Sequence, residues 1–308
     1  MELDNFWIKP EIDPLFKVRY KPVLMIQFYT INGKMVPAQE ASLKVNDLAI
    51  LRGFGIFDYF LFKEGVPLFI NDYLNRFYTS AEKLNLVIPF SKEDLHQQIL
   101  ALIAHNGVSS GAIRLVLTGG YTEDSYTPTR PNLLILQHES KPVAPKHFER
   151  GMKLMAVNYQ RDLPEVKSIN YAKGIQLIPQ LKAIGAEEPL YHQNGIISEA
   201  VRSNFFIITS DNTIITAKTD ILFGITRKHV LEACKEDFKI ELRNFSLEEA
   251  YAAEEAFLTG SNKGVVPVSS IDEHLIGKGK AGEKVKKVIQ LFDAYRSNYV
   301  KAHLAAVI

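Results

Sequence analysis

Residues 194–209 read NGIISEAVRSNFFIIT, from Asn194 to Thr209. β-Branched and aromatic residues dominate both halves, which predicts two strands, 194–199 and 204–209. Between them Glu199 is flanked by Ile196, Ile197 and Phe205. A carboxylate in such company is costly to bury without a cationic partner. In a purely structural role Glu199 would instead be a strand-edge glutamate paired with Arg202. Further strands are expected over 152–158, 213–216, 254–259 and 265–268, with a hairpin turn at Asp211-Asn212. Helices are expected over 171–185, 226–236, 246–252 and 281–300, and Ser246 with Glu249 forms a capping box. Strands in runs with helices set apart predict an α+β fold rather than a doubly wound sheet.

The N-terminal half carries its own strands and helices. Residues 23–31 read as a strand ending at an Asn32-Gly33 turn, and 55–62 with 66–70 as a hairpin around Glu64-Gly65. On a helix over 72–85, Leu74, Phe77, Tyr78, Ala81 and Leu84 share one face, with Arg76 beside it. Ser91 should cap the next helix and Gly107 should close it. Strands 112–118 and 132–137 flank a long polar loop, GGYTEDSYTPTRP. Residues 1–22 read as an extension. Two prolines, charges and a glycine over 141–151 mark an interdomain linker.

Bulk properties narrow the function. The 308 residues are 46% apolar and 23% charged, enough to bury sizeable cores without metal or disulfide staples. Thirty-six basic against 35 acidic residues leave a formal net charge of +1, which argues against a nucleic-acid partner. Cys234 is the only cysteine, so neither an intrachain disulfide nor a cysteine zinc site can form, and a reducing cytoplasmic location is expected. The N-terminus does not resemble a signal peptide, and no run of about 18 apolar residues suggests a membrane span. There is no dinucleotide fingerprint, phosphate loop, nucleophile elbow or zinc-protease motif. The eight histidines show no metal-ligand spacing; His192 and His229 are expected at the surface.

Four segments stand out in order: 72–81 (DYLNRFYTSA), 167–171 (KSINY), 198–206 with 224–227 (GITR), and 257–268 (FLTGSNKGVVPV). Lys167 precedes Glu199 by 32 residues. From about residue 30 onward the chain resembles the class IV aminotransferases, the branched-chain and D-amino-acid transaminase group of fold-type IV. The resemblance implies two domains: a small N-terminal α/β domain over 1–141, a linker over 142–150, and a larger C-terminal pseudo-barrel over 151–308. It implies pyridoxal 5′-phosphate as cofactor, no metal, amino acid and 2-oxo acid substrates, and a homodimer that completes the site.

The same resemblance assigns roles. Lys167 would carry the cofactor as a Schiff base and move the substrate's α-proton; a lysine nucleophile needs a depressed pKa. Glu199 would face the pyridine nitrogen and keep it protonated. Arg76, with the amides of Ile225 and Thr226, would hold the phosphate, since a guanidinium fork and a helix N-terminus both suit an anion. Thr226 is the expected N-cap. Tyr171 would stand near the cofactor's phenolic oxygen, and the turn at Ser261 and Asn262 would meet phosphate and substrate. Phe57 would line the substrate side. Its phenylalanine and the strand Ile113-Arg114-Leu115 are similar to the branched-chain group. Gly119 stands where D-specific enzymes carry an arginine, which favours an L-amino acid. Asp58, Ala200 and Asn262 depart from the family pattern, on the substrate side. The alternative activity is that of 4-amino-4-deoxychorismate lyase, which releases pyruvate.

Overall fold

A computed structural model describes residues 26–304. The expected extension over 1–22 and the start of the first expected strand lie outside the described residues. Two sheets organise the rest. The first contains β1 (Phe28–Ile31), β2 (Lys34–Pro37), β3 (Gly55–Lys63), β4 (Val66–Pro67), β5 (Ser110–Thr118) and β6 (Leu133–His138). Its order is β2-β1-β6-β5-β3-β4, antiparallel throughout. Asn32 and Gly33 take φ values of 51° and 79°, and Glu64 and Gly65 values of 55° and 77°. Left-handed pairs of this kind match the twist of the strands they join. The short α1 (Leu48–Arg52) leads into β3, while α2 (Ile70–Lys83) and α3 (Lys92–Asn106) pack on the sheet. Ser91 caps α3 with a reciprocal bond from Asp94, and Gly107 closes it at φ 64°.

Alternation along β3 decides what the site receives. Ile56, Asp58, Phe60 and Phe62 are buried on the side of α2, whereas Phe57 and Tyr59 turn to the other face. On β5, Ile113, Leu115 and Leu117 go inward and Arg114 and Val116 outward.

The second sheet holds β7 (Met152–Asn158), β8 (Glu188–Gln193), β9 (Ile196–Ala200), β10 (Asn204–Ile208), β11 (Thr213–Thr216), β12 (Lys239–Leu242), β13 (Glu255–Gly260), β14 (Gly264–Ile271) and β15 (His274–Leu275). Its order is β12-β11-β10-β13-β14-β7-β8-β9, with β15 beside β14. Pairs β11/β12, β7/β14 and β7/β8 are parallel. Helices α4 (Lys146–Arg150), α5 (Ala172–Gln176), α6 (Ile178–Ile184), α7 (Ile225–Cys234), α8 (Leu247–Tyr251) and α9 (Glu283–His303) complete the described chain. The architecture is the expected α+β. Both faces of β10 are covered: Phe206 and Ile208 join the core shared with α2, α7 and α9, while Phe205 and Ile207 join a second core with Leu154 and Phe245. That double burial explains the unbroken apolar run of β10.

Several expectations need correction. The helix over 171–185 is two helices that meet at Leu177, because Pro179 near the start of α6 has no N–H to continue α5. The passage from β6 to β7, where the interdomain linker is expected, contains the short α4. Thr226 is not the N-cap of α7: Gly224 is, and Thr226 lies inside the first turn. His229 is buried, 9% exposed, and His192 is half-buried. The short edge strands β2, β12 and β15 leave little trace in the sequence because few of their residues are buried, and β8 because Pro189 interrupts its pattern.

Candidate active site

Lys167 reaches the first sheet from the second half of the chain. Its carbonyl accepts from Phe57 N at 2.9 Å, Ile169 N donates to Gly55 O at 3.1 Å, and Ser168 bridges to Ile56. This backbone pairing adds residues 167–169 to the start of β3 and leaves the ammonium 4.5 Å above the Phe57 ring. Burial, helped by the Arg76 charge, lowers the Lys167 pKa from 10.5 to about 7, although Asp58 and Glu199 oppose the shift. An amine so tuned is free base for much of the time at neutral pH, the form that acts as nucleophile or proton acceptor.

Glu199, on β9, is 5% exposed and fully engaged. Its Oε1 accepts from Arg161 Nε at 2.9 Å and Nη2 at 2.6 Å. Its Oε2 accepts from Leu222 N at 3.0 Å and, more loosely, from Asn204 Nδ2 at 3.5 Å. The partner is therefore Arg161, not Arg202, whose side chain is exposed and has no ion-pair partner among the described residues. Arg161 also donates to the carbonyls of Val166, at 3.1 Å, and Pro164, so it braces the loop carrying Lys167. Burial pushes the Glu199 carboxyl up and Arg161 opposes that rise.

Arg76 projects from α2 toward β3. Asp58 grips it with both oxygens, so Asp58 lies on the Arg76 side and not on the substrate side. The reason is alternation: Asp58 points away from the face that shows Phe57. Burial works to lower the Arg76 pKa, but Asp58 outweighs it and the guanidinium is held charged. Arg76 Nη1 also donates to Phe223 O at 3.2 Å, just ahead of α7. Gly224 offers no side-chain cap, so the opening amides of α7 are left without one. The Tyr73 hydroxyl and Ser261 Oγ meet at 2.8 Å.

One cavity collects Arg76, Lys167, Tyr171, Glu199, Ile225, Thr226, Thr259 and Ser261. The Thr259 hydroxyl is buried there with no hydrogen-bond partner among the described residues. Tyr171 stacks edgewise on Phe57 with centroids 5.6 Å apart, and burial raises its phenol to about 12, so it stays a donor. Ala200, expected on the substrate side, does not reach the cavity, whereas the next residue, Val201, does.

Lys167, Tyr171 and Ser261 also border a wider cleft of about 610 Å³. Its walls include Phe57, Tyr59, Arg114, Val116, Ile169 and Asn262. The Asn262 side chain faces this cleft, donating to Lys141 O at 2.8 Å and accepting from the Tyr59 hydroxyl at 3.4 Å. Arg114 lies 5.3 Å from the Phe57 centroid and 5.4 Å from that of Tyr59. A side chain at Gly119 would meet Phe54 Cδ1 at 2.8 Å and Leu48 Cδ1 at 2.9 Å, so that position is closed. Arg161, with no role in the sequence reading, has one usable signal: it stands six residues before Lys167, and a buried Glu199 requires a cation.

Residues 55–271 match the family model for amino-transferase class IV. The chain belongs to the class IV aminotransferases. Among its relatives, a protein of Methanocaldococcus jannaschii, provisionally named a branched-chain-amino-acid aminotransferase, is 30% identical over 278 residues, covering 87% of this chain and 96% of that one. A D-alanine aminotransferase of Listeria monocytogenes is 26% identical, covering 85% and 93%. A branched-chain amino acid aminotransferase from T.th., solved with pyridoxamine 5′-phosphate, superposes with a TM-score of 0.82 at 25% identity, covering 90% and 96%. The family and this cofactor-bearing relative imply pyridoxal phosphate. The residues present fit such a group: a desolvated lysine, a buried carboxylate, an uncapped helix start beside a charged arginine, and the unpartnered Thr259 hydroxyl.

Proposed function

We propose that this class IV aminotransferase carries pyridoxal phosphate on Lys167 and moves an amino group between a branched-chain-like L-amino acid and a 2-oxo acid. The observation that carries the reading is the half-buried Lys167 amine, its pKa lowered to about 7, in one cavity with the Glu199–Arg161 pair. Arg76, the Ile225 and Thr226 amides and Ser261 would hold the phosphate; Tyr171 would donate to the phenolic oxygen. When bound, the cofactor supplies an electron sink for the pair left when a bond at the substrate α-carbon breaks. The chain's own part is positional and acid–base. Once the substrate amine has displaced it, the Lys167 Nζ would take the α-proton and deliver it to the cofactor rather than back to the α-carbon. Glu199 would hold the proton on the ring nitrogen, and Arg161 opposes the rise that burial gives the Glu199 carboxyl. Phe57, Val116 and Ile169 give the cleft an apolar wall suited to an aliphatic side chain.

The D-alanine aminotransferase relatives favour a second reading, in which the donor is a D-amino acid. A screen of L- and D-amino donors with 2-oxoglutarate separates the two. Borohydride treatment of the cofactor-loaded protein should leave the reduced cofactor on the peptide bearing Lys167; an unmodified Lys167 would sink the central assignment. Pyruvate release without an amino acceptor would instead favour the lyase activity. Domain limits at 141 and 151, a homodimer and a cytoplasmic location belong to the same proposal, and sedimentation tests the dimer.

A further inference from the structure

One turn along each of the two helices that face the phosphate position, a second polar cluster joins them. Asp72 precedes Arg76 by four residues on α2, and His229 follows Ile225 by four on α7. Residues four apart share a helix face, so Asp72 lies on the Arg76 side of α2, and His229 sits one turn beyond the opening amides of α7. His229 Nε2 lies 2.8 Å from Asp72 Oδ2, and Lys228 Nζ donates to Asp72 Oδ1 at 2.7 Å. On its other side, His229 Nδ1 lies 3.2 Å from the Tyr295 hydroxyl of α9. Burial lowers the His229 pKa although Asp72 opposes the shift, so the ring is neutral at neutral pH. A neutral ring beside a carboxylate donates from Nε2, which leaves Nδ1 to accept from Tyr295. The hydrogen bonds therefore run from α9 through α7 to α2.

The start of α2 depends on these contacts. Its N-cap is Phe69, with φ 55° and ψ 35° and no side-chain cap. A bulky residue in the left-handed region costs about 1–3 kcal/mol and persists only where its surroundings over-determine it. The Phe69 ring stacks on His229 at 3.7 Å and packs against Tyr299 at 4.6 Å. Beyond the Asp58 pair, Arg76 itself reaches toward α7 through one bond, to Phe223 O. Convergent donors grip a phosphate only if their spacing is kept, and small displacements of supporting groups are felt strongly.

We infer that Asp72, His229 and Tyr295 are positioning residues for the cofactor phosphate, fixing Arg76 on α2 against the first amides of α7. This rests on the pyridoxal-phosphate reading of the cavity. The experiment titrates the full chain, freed of cofactor, with pyridoxal phosphate and separately with pyridoxal, which lacks the phosphate. His229→Phe keeps an aromatic ring against Phe69 and removes both hydrogen bonds; His229→Gln keeps a donor toward Asp72. His229→Phe should weaken pyridoxal phosphate by about tenfold or more, the scale of a lost charge-assisted bond, and leave pyridoxal unchanged. His229→Gln should recover most of that loss. If His229→Phe does not fold, Tyr295→Phe, which removes one hydroxyl, should cost about threefold with the same selectivity. Unchanged affinity for pyridoxal phosphate, or equal losses for both ligands, would overturn the inference. A wild-type chain that binds no pyridoxal phosphate would overturn the reading of the cavity, and this inference with it; the two failures are thus distinguishable.

Discussion

Asp58 accepts from Arg76 Nε at 3.0 Å and from Nη2 at 2.7 Å, and its side chain is fully buried. Removing one member of a buried pair strands the other charge, at a typical cost of about 3–5 kcal/mol. Asp58→Ala should lower stability on that scale. It should also weaken cofactor binding, because Arg76 loses the brace that fixes its fork. Denaturant unfolding with and without pyridoxal phosphate checks both effects. Full stability in Asp58→Ala would show that Arg76 finds another partner.

The Lys167 amine leads to a pH prediction for the cofactor-free protein. Its pKa falls from 10.5 to about 7 on folding. Between those values the unfolded chain holds a proton that the folded chain has released. Stability contributed by this group therefore rises with pH across the window and is lowest at and below pH 7. The full span is on the order of 5 kcal/mol. Lys167→Met should remove this rise and stabilise the protein at pH 7. Tyrosines titrate in the same range, so the informative quantity is the difference between wild type and variant at about pH 7 and about pH 9.5, inside that window. Parallel pH dependences would contradict the prediction.

Arg161 is the strongest opponent of the upward push that burial gives Glu199. Arg161→Met should let the Glu199 carboxyl protonate at higher pH. The acid limb of the turnover profile should then move upward. Arg161→Lys, which keeps a charge but loses the fork, should fall between. An acid limb that stays in place would separate Glu199 ionisation from turnover.

What the sequence makes legible follows physical locality. Caps such as Ser91 and Ser246, and turns such as Asn32-Gly33, act over three or four residues, so their signals survive in one dimension. The four family segments bring Lys167, Glu199 and Arg76 to one cavity for the same reason: each motif is short. Partners are harder to read. Asp58 and Arg76 are 18 residues apart, and Arg161 and Glu199 are 38 apart, and nothing in either local pattern names the other. Asp58 lies on the side opposite to the expected one because a departure from a motif does not say which face of the strand it occupies. His229 reads as a surface residue because its burial comes from Phe69 and α9, both distant in sequence.

Arg114 faces the cleft from β5 with no carboxylate partner among the described residues, and the Phe57 and Tyr59 rings lie beside it. A cation left unpaired at the mouth of a pocket suits an anionic substrate group. In a transaminase that also accepts 2-oxoglutarate, the distal carboxylate is the group in question. Arg114→Met should raise KM for 2-oxoglutarate by about tenfold to a hundredfold, the range for a lost charged hydrogen bond. It should change KM for a monocarboxylate 2-oxo acid much less, since that acceptor presents no second charge. The ratio of the two KM values is the quantity to follow. If both rise together, Arg114 serves the carboxylate common to all substrates or the shape of the wall formed by Phe57 and Tyr59, and the assignment to the distal group fails.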